Sequence, residues 1–199
     1  MRRQLFIMVK EPHPGRVKTR LGRELGYTGA AWWFRHQTRA LIRQLGTDSR
    51  WETALAVSPD VEGLQSRVWP RALPRWPQGH GDLGDRMLAI FREAPPGPVL
   101  IIGADIPGIC RDDIWNAFRA LGGHNAVFGP APDGGYWLIG LRRGGTPVPA
   151  RLFEGVRWSS ASALADTIAS LGPAKIAKIR YLHDVDTMAD LKRVRTQTS

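Results

Sequence analysis

Apolar runs of strand length alternate along the chain with longer stretches whose apolar positions recur every three or four residues. Strands are predicted over residues 5–9, 52–57, 99–104, 125–128, 136–141 and 176–182. Helical spacing is predicted over 28–45, 82–93, 112–121, 160–171 and 187–194. Thr28 is placed to cap the first helix and Gly46 to stop it, and Thr187 stands three residues before Asp190 in capping-box spacing. Residues 10–21 read as a Pro/Gly/basic loop, and 69–81, rich in Pro, Trp and Gly, as irregular chain. Strands alternating with helices indicate an α/β fold of three layers around a mostly parallel sheet. Neither a repeat nor a dividing linker interrupts the pattern, so residues 1–199 are expected to form a single domain.

Composition narrows the class. A single cysteine, Cys110, excludes an internal disulfide and a cysteine-built zinc site and fits a reducing cytoplasm, the expected location. No segment approaches the ~20 apolar residues of a membrane span. The net charge of +10 is concentrated at one end, with eleven Lys and Arg against three acids in the first fifty positions. Such an end could meet nucleic acid. However, Arg35, Arg39 and Arg43 fall at i, i+4 spacing, the mark of a solvated helix face, and the reading favours small-molecule substrates.

Candidate chemistry lies where strands end. The run 99–104 stops at Asp105, and Pro107 forbids its continuation. In open α/β sheets, ligands bind just outside the carboxyl ends of strands. A carboxylate there can hold a divalent cation against a phosphate, or can simply be a turn or cap residue leading into the next helix. After the first strand come Lys10, Gly15, Arg16, Lys18 and Arg20, with Gly15 permitting close approach and the cations suited to phosphate. If that loop is extended, residues 16, 18 and 20 form a cationic comb. Asp133-Gly134-Gly135 between two apolar runs is a hairpin signal, and it can also face a nucleotide or acceptor. Asp184 and Asp186 after the strand at 176–182 can supply a second metal ligand, unless Asp186 or Thr187 caps the last helix. Gly79-His-Gly81-Asp-Leu-Gly84 matches the dinucleotide fingerprint in letters, but Pro70, Pro74 and Pro77 precede it where a central strand should stand.

Taken together, residues 10–21, 78–87, 103–107, 129–140, 152–155, Trp158-Ser159 and 184–191 resemble a small bacterial family on the glycosyltransferase-A fold. Its members are known as radical-SAM/selenodomain-associated transferases or arsenosugar-biosynthesis-type glycosyltransferases. More distantly the chain is similar to small-molecule nucleotidyltransferases. The resemblance implies a nucleotide-diphospho-sugar transferase-like fold, with Asp105 as the metal-binding acid and Asp186 its partner. It implies that the loop carrying Lys10, Gly15, Arg16, Lys18 and Arg20 holds nucleotide phosphates. Gly134, Gly135, Tyr136 and Trp158 would line the acceptor or donor pocket, and Asp133 would orient the acceptor or act as its base. Magnesium or manganese, and a nucleotide sugar or nucleoside triphosphate, are the expected cofactor and substrate. Glycosyl transfer leads, with nucleotidyl transfer and a non-catalytic nucleotide- or RNA-binding module as alternatives. Glu11, His13 and the triplet Ala104-Asp105-Ile106 depart from the family pattern.

Overall fold

Seven strands form one sheet in the order β3-β2-β1-β4-β6-β5-β7 in the computed structural model, which describes residues 1–145 and 147–197, with side chains through 193. The strands are β1 (Gln4–Lys10), β2 (Glu52–Ser58), β3 (Arg75–Pro77), β4 (Val99–Gly103), β5 (Ala126–Pro130), β6 (Tyr136–Leu141) and β7 (Ile176–Lys178). Every neighbouring pair is parallel except those involving β6, which runs against both β4 and β5. The carboxyl ends of all strands but β6 therefore share one edge, and the β5–β6 turn lies there too. The result is a three-layer α/β fold around a mostly parallel sheet.

Alternation along each strand builds two cores. Leu5, Ile7, Val9, Leu55, Leu100 and Ile102 meet Phe34, Leu41, Ile42 and Leu45 of α2 (Tyr27–Leu45) and Ile114 and Phe118 of α5 (Arg111–Ala120). Phe6, Ala56, Ile101, Phe128 and Ile139 meet Met87, Ile90 and Phe91 of α4 (Leu83–Glu93), joined by Leu164 and Ile168 of α6 (Ala163–Ser170). Strands covered on both faces are apolar throughout, which explains why they read as unbroken runs. Arg35, Arg39 and Arg43 are exposed on α2, as a solvated face requires.

Several local expectations change. The segment predicted as loop over 10–21 turns and then enters α1 (Thr19–Leu25), so no extended comb forms: Lys18 sits at the N-cap with a left-handed backbone, φ 46° and ψ 48°. Gly26, not Thr28, precedes α2. A short α3 (Asp60–Gln65) forms where the sequence predicts no element, and the three-residue edge strand β3 emerges from the chain read as irregular over 69–81. The Thr187–Asp190 reciprocal bonds do form, at the start of α7 (Met188–Gln197). A third cluster, Leu21, Ala30, Val185 and Leu191, clamps α1 and α2 against α7 and the segment leading into it. That clamp fixes the neighbourhood of Lys18 and Asp186.

Candidate active site

The common edge opens into a cavity of about 830 Å³. Buried apolar residues anchor the backbone beside three of its acids. Ala104 and Ile106 are buried on either side of Asp105, and Thr38 Oγ1 donates to the Ala104 carbonyl at 3.3 Å. Val185, fully buried, separates Asp184 from Asp186. Cys110, not Asp105, stands at the cap of α5, and Thr187 caps α7. Capping therefore makes no demand on Asp105, and the side chain of Asp186 is free to reach the cavity.

Lys18 ties these loops together. Its ammonium lies 2.9 Å from Asp105 Oδ2 and 2.7 Å from Asp186 Oδ1, and its side chain is only 5% exposed. Arg20 Nη1 lies 3.2 Å from Asp186 Oδ2 but is 72% exposed. Burial disfavours the Lys18 charge, yet Asp105 and Asp186 outweigh it and hold the ammonium above the ordinary lysine range. Asp184 moves the other way for a carboxyl: burial, and then the negative charge of Asp186, push it above its usual range. Lys18 opposes that shift, while Asp105 and Asp133 add to it.

The cavity lining includes Lys10, Arg16, Lys18 and Arg20 together with Asp105, Asp133, Asp184 and Asp186. Gly135, Tyr136 and Trp158 also line it, whereas Gly15 and Gly134 do not. Gly134 serves the turn instead. With φ +86°, its carbonyl accepts from Leu164 N, and a Cβ there would lie 2.1 Å from the Ala161 carbonyl oxygen. Asp133 is exposed, and its Oδ1 accepts from Gly135 N at 2.9 Å, closing the predicted hairpin turn. Burial raises the Tyr136 phenol well above its usual range, and its hydroxyl pairs with Thr167 Oγ1, so it forms wall rather than acid. Trp158 Nε1 donates to Asp82 Oδ2 at 3.0 Å, while Asp82 Oδ1 caps α4 through Asp85 N. His13 pairs with Glu62, and Glu11 is buried, its Oε1 accepting from Ser66 Oγ; neither lines the cavity.

Three contributors were not anticipated. Asp82 and Arg86 bring the start of α4 to the rim, because Gly79–Gly84 lies at the same edge without being a dinucleotide turn. Gln78, 3% exposed, donates from Nε2 to the Val9 and Ala56 carbonyls, fixing its amide across β1 and β2. Its segment, 78–87, carries part of the family resemblance, but the strand before it is too short and proline-flanked to place the side chain.

Among the described residues, no three His, Cys, Asp or Glu side chains converge on one point. Two carboxylates brought together on one nitrogen nevertheless suit a hard cation. Magnesium is commonly held by one or two carboxylates plus substrate phosphates rather than by an all-protein cage. No described helix is long and apolar enough to cross a membrane.

Comparison with known proteins agrees with the geometry. Residues 41–160 match the model of a family described as an uncharacterized protein conserved in bacteria, DUF2064. A structure from Desulfovibrio desulfuricans G20, provisionally assigned as a nucleotide-diphospho-sugar transferase, is 28% identical. It aligns over 100% of this chain and 89% of its own, with a TM-score of 0.89. CMP:2-keto-3-deoxy-manno-octonic acid synthetase complexed with CTP aligns over 100% and 98% of the two chains, at 14% identity and a TM-score of 0.59. Rv0371C of Mycobacterium tuberculosis H37Rv in complex with manganese aligns over 98% and 97%, at 16% identity and a TM-score of 0.56. No curated protein matches the sequence.

Proposed function

The chain belongs to the DUF2064 family, and from that premise we propose that it is a metal-dependent transferase using a nucleotide-activated donor. The reading is of one catalytic unit spanning the chain, working in the cytoplasm and passing a glycosyl group from a nucleotide sugar to a small acceptor. This is the chemistry implied by the radical-SAM-associated and arsenosugar-type resemblance. The observation that carries it is the meeting of Lys18, Asp105 and Asp186 from three separate loops in one large cavity.

Asp105 and Asp186 would hold magnesium or manganese, which when bound neutralises a diphosphate leaving group. Lys10, Arg16, Lys18 and Arg20 bind the phosphates, their charges aimed where negative charge develops. Gly15, whose Cβ position is open, leaves the backbone of that loop accessible. Asp133, exposed and lining the same cavity, orients the acceptor hydroxyl and takes its proton. Gly135, Tyr136 and Trp158 form the acceptor wall, with Gly134 holding that wall's turn in shape. Nucleotidyl transfer from a nucleoside triphosphate is the second reading, favoured by the CTP complex among the neighbours.

Thermal denaturation with manganese and a panel of nucleotide sugars and nucleoside triphosphates tests this. Bound ligand at a hundred times its Kd stabilises by about 2.7 kcal/mol. The expected result is a shift that requires both metal and nucleotide and is lost in Asp105→Ala without loss of fold. A nucleotide-sugar preference supports glycosyl transfer, and a triphosphate preference supports the second reading. A shift unchanged in Asp105→Ala refutes its role.

A further inference from the structure

We infer that Lys18 is a displaceable counter-ion: its ammonium and a divalent cation exclude one another at Asp105 and Asp186, and Lys18 becomes a phosphate ligand only once released. The inference rests on the reading of those two acids as cation ligands. Its basis is the way their oxygens are already committed. Asp186 Oδ1 meets Lys18 and Oδ2 meets Arg20, so neither oxygen is free of a cation. Asp105 gives Oδ2 to the same ammonium. The position shared by both carboxylates is therefore the one Lys18 holds. Arg20 is mostly exposed and touches only one of the acids, so giving it up would not open that shared position.

Release has a consequence for anions. Asp105 and Asp186 are the acids paired with Lys18 among the described residues. A buried ammonium without a counter-ion is strongly unfavourable. Lys18 lines the cavity beside Arg16, and a phosphate entering there restores its balance of charge. Cation and phosphate binding are thus coupled through one side chain, and the coupling is reciprocal. Without the cation, Lys18 is held by its acids and contributes little to holding phosphate.

Two binary titrations test this and avoid direct metal–phosphate contact. In the first, manganese is titrated without any anion. Lys18→Met should bind it roughly tenfold more tightly than the wild type, within the ~5–150-fold span of coupled sites. Arg16→Met removes a cation that lines the same cavity but bonds neither acid, and should change affinity less than about twofold. In the second, pyrophosphate is titrated in the presence of a chelator. Lys18→Met should leave its affinity nearly unchanged, whereas Asp186→Asn, which loosens Lys18, should tighten it several-fold. Manganese binding that is unchanged or weaker in Lys18→Met makes Lys18 a prop for the acids and overturns the inference alone. Metal-free pyrophosphate binding lost in Lys18→Met, or unmoved in Asp186→Asn, also overturns it. If Lys18→Met does not fold, the Asp186→Asn arm decides. No manganese binding to either the wild type or Lys18→Met defeats the functional reading as well.

Discussion

The two edges of the sheet treat their charges in opposite ways. At the amino edge, Asp48 accepts from Arg50 N, Nε and Nη2, and the Arg50 guanidinium lies 5.0 and 5.1 Å from the Trp51 and Trp115 rings. Arg3 covers Trp115 at 4.9 Å. The main partners, Asp48 and Arg50, are two residues apart, and the hydrogen bond from Arg50 holds the Asp48 carboxyl below its ordinary range against burial. At the carboxyl edge, acids arrive from the segments after β4, β5 and β7, and the Asp184 carboxyl is driven upward. One edge is satisfied by a local pair, while the other draws acids from separate loops around a shared lysine at a cavity. The first arrangement stabilises a fold; the second spends stability on a site.

The comparison can be broken by measurement. The largest effect should come from Gln78→Leu, which tests whether the carboxyl edge has a rigid frame beneath its charges. Leaving the Val9 and Ala56 carbonyls without their donor should cost about 2–3 kcal/mol in denaturant unfolding; a cost near zero would remove that frame. Next is Asp48→Asn, expected to cost about 1 kcal/mol at neutral pH through lost charge-assisted bonds. Because the native Asp48 pKa is depressed, its contribution is present above the ordinary aspartate value and lost as pH falls through the native one. The variant and wild type should therefore converge in acid. The smallest effect, and one of opposite sign, belongs to Asp184→Asn. Removing a carboxyl whose ionised form the fold disfavours should leave stability at pH 7 equal or slightly higher. Equal losses from Asp48→Asn and Asp184→Asn would erase the distinction between the edges.

Much of this architecture is legible along the chain because the central strands are buried on both faces. Residues 99–103 can hardly be read otherwise. The Asp133–Gly134 turn is equally plain, since its determinants are adjacent: a backbone with positive φ and an Asp133–Gly135 bond. Lys18 shows where local reading ends. Pro12, Pro14 and Gly15 suggest open loop, and nothing nearby predicts a left-handed lysine at the start of a helix. Its conformation is held by Asp105 and Asp186, far off in sequence, and by the apolar clamp of Leu21 and Val185. For the same reason Asp105 looks equally like a cap residue until the Cys110 position is seen to take that duty. Gln78 escapes because its amide serves two neighbouring strands, and only strand order reveals that they are neighbours.

The outermost strands carry one more consequence. β3 and β7 are three residues each, one ending in Pro77 and the other in an exposed lysine, Lys178. Long, flat edges invite pairing with a second chain, whereas short strands, proline and lysine discourage it. The apolar strands best suited to stack into fibrils are thus shielded in the middle of the sheet. A partially opened molecule that loses β3 or β7 would expose β2 or β5, so the cover over the sheet's apolar strands rests on its two shortest ones.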